Sequence, residues 1–391
     1  MVDIVDAAVY HRPVPLSGDE SVPHGRIESV DGLRGFAAFL VMSYHIQAGD
    51  KVLLGSGQTA MEIFFVLSGF VITRSLLAEG DGLLLRRFYV RRAFRLIPTL
   101  VVFICVSLIS VRVWQGAIPT NLWWMAGGAL AYVSNFVLVR LHGGVGVFGG
   151  LWSLSIEEQF YLVWPLLFLG MRRYFARAVY LVLVVLAAAS LARRFANLAP
   201  SASENWAAYG SDSRALGLLL GCLGAVAVAR QAPMIRTLST RLLTFMGLGA
   251  CACLIASATL VQSYVPRTFV TWWLMAPVAS LVLIVVLSHP LPTPVRRMFA
   301  GRLLVALGKI SYSLYLWHVY VVEVVEPRFL GHQTYGRPVR YVVMATIAVS
   351  LATVSYFAIE RPFMRIGRSI SRRWSLSDKS ARAIESLMRA P

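Results

Sequence analysis

An arginine and a histidine stand eleven residues apart in the first apolar run of the sequence. Arg34 and His45 are separated by about three helical turns plus 20°, so their side chains project from one helix face, roughly 16 Å apart along the axis. A charge at the bilayer centre costs at least a few kcal/mol, which makes an ionisable group in such a run a functional candidate. The pair indicates one lined cavity. Taken singly, Arg34 also fits an interfacial anchor, and His45 a neutral imidazole hydrogen-bonded between helices.

Two adjacent glutamates, Glu157 and Glu158, open a later apolar run. Neighbouring residues diverge by about 100° on a helix, so the two carboxylates are able to serve different cavities or roles. A carboxylate often orients or polarises a catalytic histidine, and either glutamate is therefore a candidate partner of His45. The competing interpretation is a helix amino terminus capped by Ser153 or Ser155, where acidic residues complement the helix dipole.

A pair of arginines, Arg92 and Arg95, lies one turn apart at the start of the third apolar run. Guanidinium forks suit phosphate and pyrophosphate groups, and coenzyme A offers both. The same residues belong to a basic cluster with Arg86, Arg87 and Arg91. Positive charge alone serves as a topology signal, which is the simpler interpretation of the whole cluster.

Three further ionisable residues, Asp212, Arg214 and His318, are candidates for contact with a substrate or a developing oxyanion. Simpler interpretations exist for each of them. Asp212 and Arg214 open an apolar run and are able to neutralise one another at an interface, while His318 follows Trp317 in an aromatic stretch that packs near the interface. Several such groups in one chain nevertheless indicate a lined cavity.

The elements that must hold these side chains are helices in a lipid bilayer. Of the 391 residues 57% are hydrophobic and 14% charged, and the mean hydropathy is +0.66. Apolar runs long enough to cross roughly 30 Å of hydrocarbon recur along the chain. They lie near 35–49, 59–78, 96–114, 121–139, 152–171, 178–195, 213–229, 243–262, 269–288, 307–326 and 341–359. The predicted fold class is an all-α, polytopic integral membrane helical bundle.

Loop charge predicts how these runs are threaded. The basic cluster after the second run places that loop and the amino terminus in the cytoplasm. The remaining basic loops all fall on the same side if the run 121–139 does not cross. This run contains Asn121 and Asn135 and leads into a glycine-rich stretch at 143–146, which suits a re-entrant or interfacial segment. About ten transmembrane helices, with both termini cytoplasmic, are predicted.

Domain organisation follows from the same pattern. A transmembrane domain at 30–365 lies between a polar amino-terminal segment at 1–29 and a basic tail at 366–391, which suits an amphipathic surface helix. The net charge of +18 does not indicate nucleic-acid binding, because membrane insertion itself concentrates arginine in loops. The four cysteines lie in apolar stretches and indicate neither a disulfide nor a metal site.

The ordered motifs resemble those of the acyltransferase-3 family of membrane O-acyltransferases, which modify cell-surface saccharides, nodulation factors and macrolides. Each motif is weak alone, but their order and spacing are specific, and together they span almost the whole chain. They are SVDGLRG at 29–35 with His45, EIFFVLSGF at 62–70, FYVRRAFR at 88–95, WSLSIEEQFY at 152–161, DSRA at 212–215, SYSLYLWH at 311–318 and ERPF at 360–363.

This resemblance implies roles for four residues. Arg34 and His45 form the family's motif of arginine or lysine, ten residues and histidine, with His45 essential for transfer. Arg92 and Arg95 are the paired arginines near the cytoplasmic entrance for the acyl donor. The resemblance further implies an enzyme of the bacterial cytoplasmic membrane that moves an acyl group, expected to be acetyl, from acyl-CoA to a saccharide or glycolipid hydroxyl. Some members carry a carboxyl-terminal hydrolase-like domain, for which this sequence is too short, so transfer is expected within the membrane domain.

The mechanism expected from these residues centres on His45, which acts as general base on the acceptor hydroxyl or briefly carries the acyl group. Glu157 or Glu158 sets its tautomer, and Arg34 and Arg214 stabilise the oxyanion. Acyl-CoA, expected to be acetyl-CoA, is a substrate, and no permanently bound cofactor or metal is expected. The alternatives are O-acylation of a small metabolite such as a macrolide, a transporter without chemistry, and a structural envelope protein.

Overall fold

The computed structural model describes residues 27–47, 57–79, 85–141, 145–174, 179–197, 204–229, 235, 237–260, 266–330 and 336–388. The first half forms α1 (Glu28–Ile46), α2 (Gly57–Glu79), α3 (Leu85–Gln115), α4 (Thr120–Leu130), α5 (Ser134–Leu141), α6 (Leu151–Tyr174) and α7 (Val179–Ala196). The second half forms α8 (Glu204–Tyr209), α9 (Ser211–Ala229), α10 (Thr240–Leu260), α11 (Pro266–Ser288), α12 (Pro294–Phe299), α13 (Arg302–Tyr320), α14 (Arg337–Ser355) and α15 (Arg361–Met388). Two π-helical segments, Val321–Leu330 and Tyr356–Glu360, continue α13 and α14.

The helices carry the composition that a bilayer requires. Among the described residues, six helical stretches are long and apolar enough to cross a membrane: Gly57–Ala78, Leu85–Gln115, Val179–Ala196, Trp206–Ala229, Thr240–Thr259 and Arg337–Trp374. Large apolar side chains such as Leu181, Phe245 and Val342 are exposed on their outer faces, as contact with lipid demands. The predicted all-α polytopic class is confirmed. The number of ten spans and the cytoplasmic termini stay predictions.

The run at 121–139 is not one spanning helix. It divides into α4 and α5 at Ala131–Val133, where Tyr132 has a positive φ of 55°. An 11-residue helix such as α4 is about 16 Å long, roughly half the hydrocarbon thickness. Asn135 in α5 donates to the carbonyl of Tyr209 and to Ser211, so its amide is satisfied inside the protein. Half of the glycine-rich stretch at 143–146 and nearly all of the segment at 1–29 lie outside the described residues.

The basic tail begins as a helix that continues the membrane domain. Helix α15 starts at Arg361, directly after the second π-helical segment, and runs through the proposed boundary at 365 without a break. Its first turns pack on the start of α3, where Gly367 faces the Phe94 ring and the Arg86 guanidinium lies 3.6 Å from the centroid of the Trp374 ring. This contact ties the tail to the arginine cluster of α3.

Helices α1 and α13 touch backbone to backbone through two glycines. A Cβ atom at Gly35 would overlap the carbonyl oxygen of Leu304 and lie 2.7 Å from the nitrogen of Gly308, and a Cβ at Gly308 would overlap the carbonyl oxygen of Asp31. Small residues permit such close approach, which is a main source of helix association in lipid. Helices α2 and α9 also approach one another closely through glycines. The contact fixes the relative position of the two helices that carry His45 and His318.

A methyl group at the α1–α13 contact is expected to destabilise the bundle. Gly35→Ala should lower the free energy of unfolding by about 1–3 kcal/mol, because the overlapping atoms are backbone and cannot rotate away. The matched control is Gly249→Ala in α10, where nothing lies within 4 Å of the added carbon. SDS-induced unfolding of both variants provides the comparison. Equal midpoints would contradict the proposed close packing.

Candidate active site

Two histidines from distant parts of the chain meet in the interior. His45 lies in the last turn of α1 and His318 near the end of α13, and their rings approach edge to face with Nδ1 of His45 3.2 Å from Nε2 of His318. His318 is completely buried, whereas His45 is half-buried. The sequence offered His318 as a contact for a substrate or oxyanion, with aromatic packing as the simpler interpretation, and did not foresee this pairing. The expected hydrogen bond of His45 between helices is present.

A tyrosine one turn before His318 connects this pair to α6. The Tyr315 hydroxyl contacts the Ser153 hydroxyl and donates to the carbonyl of Gly150, and its ring centroid lies 5.7 Å from that of His318. The start of α6 is therefore fixed against α13. Ser153 uses its hydroxyl for this contact and not to cap the helix, and Ser155 likewise bonds Ser134. The capping interpretation is wrong.

The two glutamates of α6 make different hydrogen bonds, although both lie within ion-pair distance of Arg92. Both Nε and Nη2 of Arg92 donate to Glu158, and the Arg92 guanidinium stacks 3.2 Å above the Tyr161 ring. The neighbouring Glu157 accepts from the Ser68 hydroxyl. Neither carboxylate is bonded to His45, whose ring contacts His318 instead. The structure therefore does not support a glutamate that sets the tautomer of His45.

A second group of ionisable side chains surrounds the other end of α1. Arg34 lies 3.4 Å from Asp31 and within electrostatic range of Arg95 and Glu157. Nε of Arg95 lies 3.8 Å from the buried carboxylate of Glu360. Together with Arg92 and Glu158, these residues form the group that we call the arginine pole. Glu360 is the member that sequence reasoning did not single out, although a carboxylate that ends an apolar run was a usable signal.

Arg214 has an assignment different from the one expected. Each of its three side-chain nitrogens donates, to the carbonyl of Ala208 (2.7 Å), to Glu62 (3.0 Å) and to Gln58 (2.6 Å). Glu62 also accepts from Arg194 at 2.8 Å, and the two arginines and the glutamate are all buried. The side chain of Arg214 is therefore engaged in a buried cluster that joins α2, α7 and α9, which favours a structural role over the expected contact with an oxyanion.

Asp212 organises the start of α9. One carboxylate oxygen accepts from the backbone N–H of Ser213 and from the indole of Trp206, and the other accepts from Arg193 at 3.1 Å. The expected neutralisation of Asp212 by Arg214 is wrong, because the two side chains turn to different partners. Asp212 fits a helix-terminal carboxylate that satisfies nearby donors. Nothing in the structure brings it to the histidine pair.

Comparison with known proteins identifies a matching family. The profile of an acyltransferase domain matches residues 27–357, which include the histidine pair and most of the arginine pole. The chain belongs to the acyltransferase-3 family. No solved structure matches it.

Three curated relatives are similar in sequence to this acyltransferase-3 protein. It is 30% identical over 355 residues to peptidoglycan O-acetyltransferase OatA of Listeria monocytogenes, covering 87% of this chain and 56% of the relative. It is 33% identical over 372 residues to the protein of Bacillus subtilis named as a putative peptidoglycan O-acetyltransferase, YrhL, covering 90% and 57%. It is 29% identical over 355 residues to O-acetyltransferase OatA of Staphylococcus aureus, and the match covers 87% of this chain and 58% of the relative. The chain thus spans little more than half the length of these relatives.

Proposed function

We propose that this protein is a membrane O-acetyltransferase that moves an acetyl group from acetyl-CoA to a hydroxyl of a saccharide of the peptidoglycan type. The observation that carries the proposal is the half-buried imidazole of His45, supported by His318 at 3.2 Å and placed on the same helix as Arg34 of the arginine pole. The relatives' names supply the acetyl group and the saccharide acceptor. A catalytic base and a cluster of cations are the two features that acyl transfer from a phosphate-rich thioester requires.

The arginine pole and the histidine pair serve different parts of the donor. Arg34 and His45 are eleven positions apart on α1, about 16 Å along the helix axis, so the two side chains do not converge on one acyl carbonyl. Arg34 therefore suits donor binding and not the oxyanion of the transfer step. Acetyl-CoA is a long molecule with phosphates at one end and the thioester at the other, which suits a site with two separated poles.

Within the arginine pole, Arg95 is better placed than Arg92 to bind phosphate. The fork of Arg92 is occupied by Glu158, and 17% of its side chain is exposed. Arg95 is 37% exposed, and its contact with Glu360 is 3.8 Å, longer than a hydrogen bond. Arg95 is therefore able to turn its guanidinium toward an incoming phosphate without leaving a buried carboxylate bonded to nothing, because Ser313 also donates to Glu360.

In the proposed transfer step, His45 is the only side chain that accepts and returns a proton. Nε2 of His45 accepts the proton of the acceptor hydroxyl while the hydroxyl oxygen attacks the thioester carbonyl. The C–O bond forms, the C–S bond breaks, and the coenzyme A thiolate takes the proton back from Nε2. The products are one ester and one free thiol. No oxidant or metal takes part in this sequence.

Replacement of Arg95 is expected to weaken donor binding more than turnover. Arg95→Ala should raise KM for acetyl-CoA about 10- to 100-fold, because hydrogen bonds to charged groups contribute about 1.5–3 kcal/mol. The control is Arg91→Ala, which removes the same charge from an exposed position of the same helix. Steady-state kinetics over a range of acetyl-CoA concentrations separates KM from kcat. Equal effects of the two substitutions would show that only net charge matters.

A direct assay tests the proposed function. Protein reconstituted in nanodiscs is given radiolabelled acetyl-CoA and either soluble peptidoglycan fragments or a macrolide. Labelled ester on the fragments, formed in step with free thiol, is the expected result, and ester on the macrolide alone would overturn the assignment of the acceptor. A parallel experiment in sealed liposomes measures flux. Movement of label across the bilayer without ester formation would indicate a transporter instead.

A further inference from the structure

The two histidines make the same backbone contact on their own helices. Nδ1 of His45 lies 2.9 Å from the carbonyl oxygen of Val41, and Nδ1 of His318 lies 2.9 Å from the carbonyl oxygen of Leu314. In both cases the acceptor is the residue four positions earlier in the chain. A carbonyl oxygen only accepts, so each Nδ1 must carry a proton to make a favourable contact at this distance.

These contacts leave one consistent arrangement of protons for the neutral pair. His318 with a proton on Nδ1 has a lone pair on Nε2, and that lone pair faces Nδ1 of His45 at 3.2 Å. The Nδ1–H of His45 thus donates toward both Val41 and His318. The opposite direction, with Nε2–H of His318 as donor, would set a lone pair of each Nδ1 against a carbonyl oxygen. His45 is therefore protonated on Nδ1 and carries its lone pair on Nε2.

The remaining nitrogen of His45 is the one available for chemistry. Nε2 of His45 has no hydrogen-bond partner among the described residues. This nitrogen is also not fully buried. His318, in contrast, is completely buried and has partners at both nitrogens. The half-buried ring is thus the reacting one and the fully buried ring is its support. The close contact of α1 with α13 at Gly35 and Gly308 holds the two rings in this relation.

We propose that His318 is a positioning residue, which holds His45 in the Nδ1-protonated tautomer so that Nε2 faces the acceptor hydroxyl. The inference rests on the proposed acetyl transfer and specifies how its base is prepared. His318 occupies the place that a carboxylate takes beside many catalytic histidines. The two adjacent carboxylates of α6 are engaged elsewhere, Glu158 with Arg92 and Glu157 with Ser68. A neutral imidazole also avoids a further charge in the membrane interior.

Two substitutions of His318 separate this role from simple packing. His318→Gln retains an oxygen that is able to accept from Nδ1 of His45, and should keep most of the wild-type kcat. His318→Leu removes the acceptor, and should lower kcat about 10- to 100-fold, the size of effect seen when a metal-ligating histidine loses its outer hydrogen-bond partner. KM for acetyl-CoA should be unchanged in both variants. If His318 only fills space, the order reverses, because an apolar interior tolerates leucine better than an amide.

A double-mutant cycle provides the decisive measurement. In a His45→Ala background, His318→Leu should cause no further loss of acetyl transfer, since His318 acts only through His45. Independent, additive losses would overturn the proposal, and so would a fully active His318→Leu variant. A wild-type protein that forms no ester from acetyl-CoA would instead contradict the proposed function. The two failures are therefore distinguishable in one set of assays.

Discussion

Replacement of His45 by alanine is expected to lower the rate of acetyl transfer about 10²- to 10⁴-fold, the range for loss of a general base. Nε2 of His45 is the proton acceptor of the proposed step, and the other imidazole within reach, His318, is fully buried and bonded at both nitrogens. KM for acetyl-CoA should change little, because the arginine pole lies at the other end of α1. Ester formation in nanodiscs measures the effect.

The matched control for this substitution lies two residues earlier on the same helix. Ser43 is buried, and its hydroxyl bonds the Tyr341 hydroxyl at 2.7 Å on the side of α14. Ser43→Ala removes one interhelical hydrogen bond from α1 without changing the histidine pair. This variant should retain wild-type activity. A His45→Ala protein that is correctly folded and as active as Ser43→Ala would remove His45 from the reaction.

The largest expected effect on stability comes from Glu62. Its carboxylate is buried between Arg194 and Arg214, at 2.8 and 3.0 Å. Glu62→Gln leaves two buried guanidinium charges beside a neutral amide, and breaking a buried ion pair in this way costs about 3–5 kcal/mol. The shift in SDS-induced unfolding midpoint relative to wild type measures the loss. A small shift would show that the cluster is more accessible to water than its burial indicates.

Two adjacent arginines of α7 provide an internal control for this prediction. Arg194 is bonded to Glu62 and to the carbonyl of Ser213, and 3% of its side chain is exposed. Arg193 pairs with Asp212 at the surface and is 57% exposed. Arg194→Ala should therefore destabilise strongly and Arg193→Ala hardly at all, since solvent screens an exposed ion pair. Similar effects of the two substitutions would contradict the burial argument.

The arrangement of the site has a consequence for how the two substrates meet. The arginine pole and the histidine pair lie at opposite ends of α1, so donor phosphates and acceptor hydroxyl are expected to enter from opposite ends of the bundle. The histidine pair and the arginine pole both lie beside π-helical segments, since Val321–Leu330 follows His318 and Tyr356–Glu360 contains Glu360. Such segments often occur at functional sites in α-helices, because they turn side chains out of the regular helical register.

Local sequence determined much of the architecture. Apolar runs predicted helices, because a bilayer accepts only segments that satisfy their own backbone hydrogen bonds. The asparagines in 121–139 and the glycines after it predicted a re-entrant or interfacial segment, and in the structure this run divides at Ala131–Val133. The separation of Arg34 from His45 and the divergence of Glu157 from Glu158 followed from 3.6 residues per turn alone. Each of these properties depends on residues close together in the chain, and so is visible without knowledge of the packing.

Only the tertiary structure decided which buried groups are partners. His45 meets His318 across 273 positions of the sequence, and Arg92 meets Glu158 across 66. The carboxylates of Glu62, Glu157, Glu158 and Glu360 all lie in or at the end of apolar runs, and composition gives no reason to prefer one as the partner of a given arginine or histidine. Burial makes an unpaired charge costly, which guarantees that partners exist. Their identity depends on helix order and rotation, which are set by packing between distant segments.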